Sequence, residues 1–176
     1  MNNQKALEVL KHGMSTEIWG LNFYKQALAH TTDKTGKEVF KSLIVEEESH
    51  LKILRGEYGA LTGQKSSWIS RDEAIRLAAS VDPTTIFPAP EAAGRLIEAA
   101  ATDLEVLKMA MDFEHKGYVF YQNEASIATD AEAKKMWSYL ANAENKHYTF
   151  IQQTHEYLST NGVWYFDDQE KPFFEG

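Results

Sequence analysis

Leu7-Glu8-Val9-Leu10-Lys11 recurs letter for letter as Leu104-Glu105-Val106-Leu107-Lys108, an offset of 104 − 7 = 97 positions. Carried on without a gap, the offset places Met14, Glu17, Gly20, Phe23, Tyr24, Thr32, Asp33, Leu43, Glu47 and His50 on Met111, Glu114, Gly117, Phe120, Tyr121, Thr129, Asp130, Leu140, Glu144 and His147. The chain is therefore a duplicated unit. In each copy the acids and imidazoles read Glu, then Glu-x-x-His. Two copies supply the ligand inventory with which a four-helix bundle holds two metal ions in its core.

Each copy reads as a helical hairpin. From Gln4 to about Thr31, Leu7, Leu10, Met14, Leu21, Tyr24 and Leu28 recur at helical spacing with no proline between them. Thr31-Thr32-Asp33 is a short polar break that can cap a second helix running to about Tyr58, with Val39, Phe40, Leu43, Glu47, His50, Leu51 and Leu54 on its core face. A break this short makes the two helices antiparallel neighbours. A third helix begins near Thr102 or Asp103 and runs to about Ala128. Thr129-Asp130 repeats the break, and a fourth helix carries Met136, Trp137, Leu140, Glu144, His147, Ile151 and Tyr157. The expected architecture is an all-α four-helix bundle in one domain spanning 1–176. Its parts are a hairpin at 4–58, a crossover at 59–101, a second hairpin at 102–160 and a tail at 161–176.

The crossover is too long for a plain loop in a compact domain. It offers a short helix at Asp72 to Ala79, followed by Asp82-Pro83 and Phe87-Pro88-Ala89-Pro90, which forbid a continuous helix. Such a crossover should run the length of the bundle, starting the third helix at the end opposite the point where the second stopped. The tail holds Trp164, Tyr165, Phe166, Phe173 and Phe174. So aromatic a segment is expected to pack on the bundle or on a second subunit.

Composition narrows the chemistry. The chain has 176 residues, 43% of them hydrophobic, enough for one sizeable core. A formal charge of −8 and a pI near 5.2 argue against nucleic acid and anionic membrane surfaces as partners. With no cysteine, thiolate metal sites and disulfides are excluded, leaving nitrogen and oxygen ligands. Neither a signal-peptide pattern nor an apolar run of about 18 residues is present, so the expected location is cytoplasmic.

Residues three apart share a helix face, so Glu47 with His50, and Glu144 with His147, each present a carboxylate and an imidazole from adjacent turns. Glu17 and Glu114 complete a set of four carboxylates and two imidazoles. Four carboxylates cancel the charge of two divalent ions, and uncompensated buried charge costs several kcal/mol. This donor set favours two iron ions, with manganese the alternative in one or both positions. The offset also chooses among three adjacent glutamates: Glu47 maps onto Glu144, whereas Glu46 maps onto Ala143. Glu46 and Glu48 are then solvated or outside the ligand set. Tyr24 and Tyr121 lie two turns past Glu17 and Glu114 on the same face. They can hydrogen-bond a ligand, relay an electron or simply fill the core. Gly20 and Gly117 allow close helix approach or leave room for an oxidant. His12, His30, His115 and His155 read as surface or packing residues, and Trp19, Trp68, Trp137 and Trp164 as core.

Glu17, Glu47-Glu48-Ser49-His50, Glu114 and Glu144-Asn145-Lys146-His147, on four helices with a long crossover, resemble the ferritin-like superfamily, specifically its rubrerythrin and bacterioferritin branch. The resemblance covers nearly the whole chain. It implies that Glu47 and Glu144 bridge the metals, that Glu17 and Glu114 are terminal ligands, and that His50 and His147 bind one ion each. Rubrerythrins usually carry a further glutamate where this chain has Gly117, and usually append a cysteine-ligated rubredoxin domain, for which this chain has no cysteine. The expected function is a di-iron oxidoreductase acting on dioxygen or hydrogen peroxide, as ferroxidase or peroxidase, with an external electron donor. Iron storage or metal sequestration in a larger assembly is the alternative, and a purely structural bundle with a vestigial site is a third. The long crossover between like halves also suggests a homodimer made by exchanging hairpins.

Overall fold

The computed structural model describes residues 3–63, 68–81, 92–100 and 102–164. Among these residues are six helices and no strand: α1 (Asn3–His30), α2 (Lys34–Leu61), α3 (Arg71–Ala78), α4 (Ala92–Ala99), α5 (Asp103–Ile127) and α6 (Ala131–Asn161). α1 packs on α2 and α5 on α6, so the all-α bundle is built from two hairpins. None of the described helices is long and apolar enough to cross a membrane.

Polar caps set where the long helices start. The Asp33 carboxylate accepts from the backbone N–H groups of Thr35 and Gly36, and Asp130 accepts from Ala133, each satisfying donors that the first helical turn leaves unpaired. Thr102 caps α5 in a reciprocal box: its hydroxyl accepts from the Glu105 N–H at 3.2 Å and its own N–H donates to the Glu105 carboxylate at 3.0 Å. α6 ends at Gly162, whose φ of 71° is a backbone conformation that glycine adopts without strain.

Both crossover helices lie on α1. α3 is tied near the second half of α2, where Arg55 Nε donates to the Ile69 carbonyl at 2.9 Å and Arg71 pairs with Glu48 at 2.7 Å. α5 then starts at the opposite end, beside the end of α1, where the Thr31 hydroxyl donates to Asp103 at 3.0 Å. α4 is absent from the reading of the sequence. Its eight residues include Gly94 and are too few for a periodic pattern, yet Ile97 and the following Ala100 are buried against the core. The segment 82–91, with its prolines, lies outside the described residues.

The Trp68 ring corrects an expectation. It is 44% exposed rather than in the core, and the Lys52 ammonium stands 5.4 Å above it. Its neighbour Ile69, 1% exposed, occupies the buried position at this turn instead. Trp164, at the start of the tail, packs edge-on to Phe40 and donates to Asp103 at 3.1 Å. A Cβ on Gly36 would come within 2.7 Å of the Trp164 indole, so only glycine admits that ring. Tyr165, Phe166, Phe173 and Phe174 lie outside the described residues.

Two apolar layers stack along the bundle. One contains Phe23, Phe40, Leu43, Leu107 and Ile151, the other Leu10, Leu51, Leu54, Trp137 and Leu140. The polar residues singled out in the sequence fall between them, closed off from solvent on both sides.

Candidate metal centre

Each long helix delivers its acid to mid-bundle: Glu17 from α1, Glu47 and His50 from α2, Glu114 from α5, Glu144 and His147 from α6. All six are buried, with exposures of 0–3%. Their ligand atoms form two groups, Glu17-Glu47-His50-Glu144 and Glu47-Glu114-Glu144-His147, with the atoms of each group within 4.8 Å of one another. Glu47 and Glu144 belong to both groups. Each remaining glutamate and each histidine belongs to one.

The imidazoles turn the same atom inward. His50 Nδ1 lies 3.1 Å from Glu144, 3.4 Å from Glu17 and 3.7 Å from Glu47, while His147 Nδ1 lies 3.3 Å from Glu114 and 3.9 Å from Glu47. Close as they are, these atoms are not aligned as hydrogen bonds. Glu17 Oε2, Glu114 Oε2, both oxygens of Glu47 and of Glu144, and Nδ1 of both histidines are buried without a hydrogen-bond partner. Buried polar atoms are ordinarily paired, and so many orphans in one place call for a shared partner. A pair of cations supplies one, because every orphan is a lone-pair donor that faces the same small space. The residues present therefore fit a di-metal site, with Glu47 and Glu144 placed to serve both positions.

Without cations the cluster must hold protons. Burial, reinforced by the neighbouring carboxylates, pushes Glu47 and Glu144 well above the usual carboxylate range. Burial would raise Glu17 and Glu114 as well, but the adjoining carboxyl, the facing imidazole and the tyrosine hydroxyl that donates to each hold both below that range. Burial opposes charge on His50, yet the surrounding Glu144, Glu17 and Glu47 overcome it and raise the imidazole.

The tyrosines cross between hairpins. The Tyr24 hydroxyl, on the first hairpin, donates to Glu114 on the second, and Tyr121 on the second donates to Glu17 on the first. Burial and the carboxylates push both phenols well above their ordinary value, so they stay protonated and remain donors. Of the roles open to them from the sequence, hydrogen bonding to a buried glutamate is the one the contacts display. The sequence could not reveal the crossing, since spacing relates residues on one helix only.

The two glycines face the shared carboxylates, but differently. A Cβ on Gly20 would sit 2.7 Å from the Phe113 ring and 3.2 Å from the Glu47 carboxyl, whereas the three atoms nearest a Cβ on Gly117 all belong to Glu144, the closest at 3.3 Å. The offset explains the contrast, because Phe113 corresponds to Thr16 (113 − 97 = 16). Gly20→Ala is expected to overpack this buried seam and cost about 1–3 kcal/mol. At about 2–4 °C per kcal/mol for a chain of this size, calorimetry of the metal-free protein should show a fall in Tm. Gly117→Ala should stay within about 1 kcal/mol of the native chain, and equal losses from both would refute the asymmetry.

The rubrerythrin family model matches residues 8–155. A solved structure of a hypothetical protein from Pyrococcus furiosus superposes with a TM-score of 0.64 at 21% identity, covering 90% of this chain and 92% of that one. At that identity the likeness speaks for the fold alone. No curated protein matches the chain.

Proposed function

This chain belongs to the rubrerythrin family, and from that premise we propose that it is a di-iron carboxylate oxidoreductase acting on dioxygen or hydrogen peroxide. One observation carries the reading: four buried carboxylates and two imidazoles converge with their donor atoms unpaired on a single water-excluded space. Glu47 and Glu144 would hold both metals, Glu17 with His50 one of them, and Glu114 with His147 the other. An iron pair, when bound, supplies two electrons to one oxidant, and manganese in one or both positions is the alternative.

The chain's own part is positioning and exclusion. Four carboxylates match four positive charges, so the filled site is neutral where an unmatched buried charge would be costly. Tyr24 and Tyr121 each take up one oxygen of a terminal glutamate, leaving the other oxygen for the metal. Hydrogen bonds to ligands of this kind fix their orientation. The apolar layers above and below keep bulk water from the site, and the missing side chain at Gly117 lets α5 approach the Glu144 carboxylate closely. The phenols are also the redox-active side chains nearest the carboxylates, which places them for electron relay from an external donor.

The test is anaerobic loading with ferrous iron followed by dioxygen or peroxide. Near-ultraviolet charge-transfer absorption of a ferric pair should appear on mixing, fade with a reductant and return on a second addition. Failure to bind two irons per chain would sink the proposal, and binding with a single irreversible oxidation would move the assignment to storage or sequestration. Size-exclusion chromatography adds the assembly state. A homodimer, with hairpin exchange as its candidate mode, is expected, and a particle of some two dozen subunits would again favour storage.

A further inference from the structure

The six buried ligands do not exhaust the donors at this site. Glu46 is half-buried, and one of its carboxylate oxygens lies with a ring nitrogen of His50 and a ring nitrogen of His147, all within 4.8 Å of one another. The Nδ1 atoms of both rings face the inner carboxylates. With those atoms turned inward, Nε2 is the nitrogen each imidazole has left, and the two rings are nearly parallel, 5.4 Å apart at 23°. Nε2 of His50 is buried without a hydrogen-bond partner. The repeat is broken at this spot, for the residue corresponding to Glu46 is Ala143. The Glu46 carboxylate of the first hairpin thus meets the second hairpin's imidazole with no counterpart carboxylate in the other copy. Tyr139, 47% exposed, stands edge-on to His50 at 6.4 Å and marks the route to solvent.

We infer that Glu46, His50 and His147 form an outer site that captures a divalent cation at the mouth of the bundle before the inner pair is filled. Two imidazoles and one carboxylate are a set that holds zinc with an open fourth position. One carboxylate leaves a captured dication with net positive charge, whereas the inner site offers two carboxylates per cation, so transfer inward is downhill. The imidazoles make the sequence one-way. A neutral imidazole bound through Nδ1 carries its proton on Nε2, so filling the inner positions closes the outer one. Glu46 is the part-exposed carboxylate next to ligands that are otherwise sealed, which explains how a cation passes the apolar layers.

The inference rests on reading the inner cluster as a di-metal centre, but its test can be separated from that reading. Zinc is titrated into Glu47→Gln/Glu144→Gln, in which the inner pair is disabled and Glu46 and both histidines are intact. About one zinc per chain is expected, with affinity falling at least tenfold when Glu46→Ala is added. No zinc binding, or binding indifferent to Glu46, overturns the outer site whatever the inner cluster does. In the otherwise native chain, stopped-flow uptake of cobalt(II) by Glu46→Ala and by Glu46→Gln should be slowed at least tenfold and still end at two per chain. An unchanged rate removes the capture role. A lower final stoichiometry would make Glu46 a resident ligand instead, and overturn it equally.

Discussion

Glu47→Gln/Glu144→Gln should emerge from anaerobic ferrous loading and gel filtration with almost no retained iron, against two per chain for the native protein. Each substitution keeps the shape of a side chain placed to touch both metals and removes its charge. Two dications would then face two carboxylates, leaving buried charge uncompensated at about 3–5 kcal/mol. At 1.36 kcal/mol per tenfold change, affinity falls by roughly two to four orders of magnitude. The metal-free variant should move the other way. Glu47 and Glu144 are the groups whose ionisation the site most opposes, and an amide neither ionises nor repels its neighbours. A gain of about 1 kcal/mol would raise Tm by about 2–4 °C. Two firmly bound irons in this variant would show that these carboxylates do not hold the pair.

The metal-free native chain should lose thermal stability as pH rises, and metal should reverse the trend. Glu47 and Glu144 have folded-state values above the ordinary carboxylate value. The stability they contribute is present below that ordinary value and lost as pH climbs through the raised ones. His50 acts in the same direction, losing its contribution as pH rises through its raised imidazole value. Glu17 and Glu114, held low, act oppositely: their contribution is present above the ordinary carboxylate value and disappears only in acid. From about pH 5 upward the first three therefore dominate, and Tm of the metal-free protein falls. Cations displace these protons, so metal affinity rises over the same range. At a free metal concentration of about 1,000 Kd the gain is about 4.1 kcal/mol, or roughly 8–16 °C. Differential scanning calorimetry between about pH 5 and pH 9, with and without metal, should show the two curves diverge. A metal-free Tm that stays flat or climbs would contradict this protonation scheme.

The sequence made the fold legible because its four long helices are marked by apolar periodicity, and three of them again by the Asp33, Thr102 and Asp130 caps. The six converging residues were legible for a different reason. One Glu-x-x-His says little, but an identical offset linking two of them, together with Glu17 and Glu114, singles out the buried glutamate at 46–48. What escaped were relations between helices. Spacing on α1 cannot say that Tyr24 reaches Glu114, nor that Gly20 is kept bare by Phe113 from α5. Symmetry also says nothing of what stands just outside the six: Glu46, matched by Ala143, is half-buried with a carboxylate oxygen within 4.8 Å of a ring nitrogen of each histidine. Trp68 shows that size and apolarity do not fix burial when a neighbouring isoleucine occupies the inward position.

The crossed tyrosines carry a consequence for the history and the chemistry of the site. Shifted by the repeat offset, Tyr24 with Glu114 and Tyr121 with Glu17 are one contact written twice, the pattern of an isologous interface between two identical hairpins. Such a dimer must give the two halves of the cluster the same surroundings, because every substitution enters twice. Once the copies share a chain, each side evolves alone, and Phe113 against Thr16, or Glu46 against Ala143, can differ without penalty to the other half. Metals held in the two halves would then be free to differ in redox potential and exchange rate. Joining two copies in one chain is what permits a symmetric cluster to become unequal.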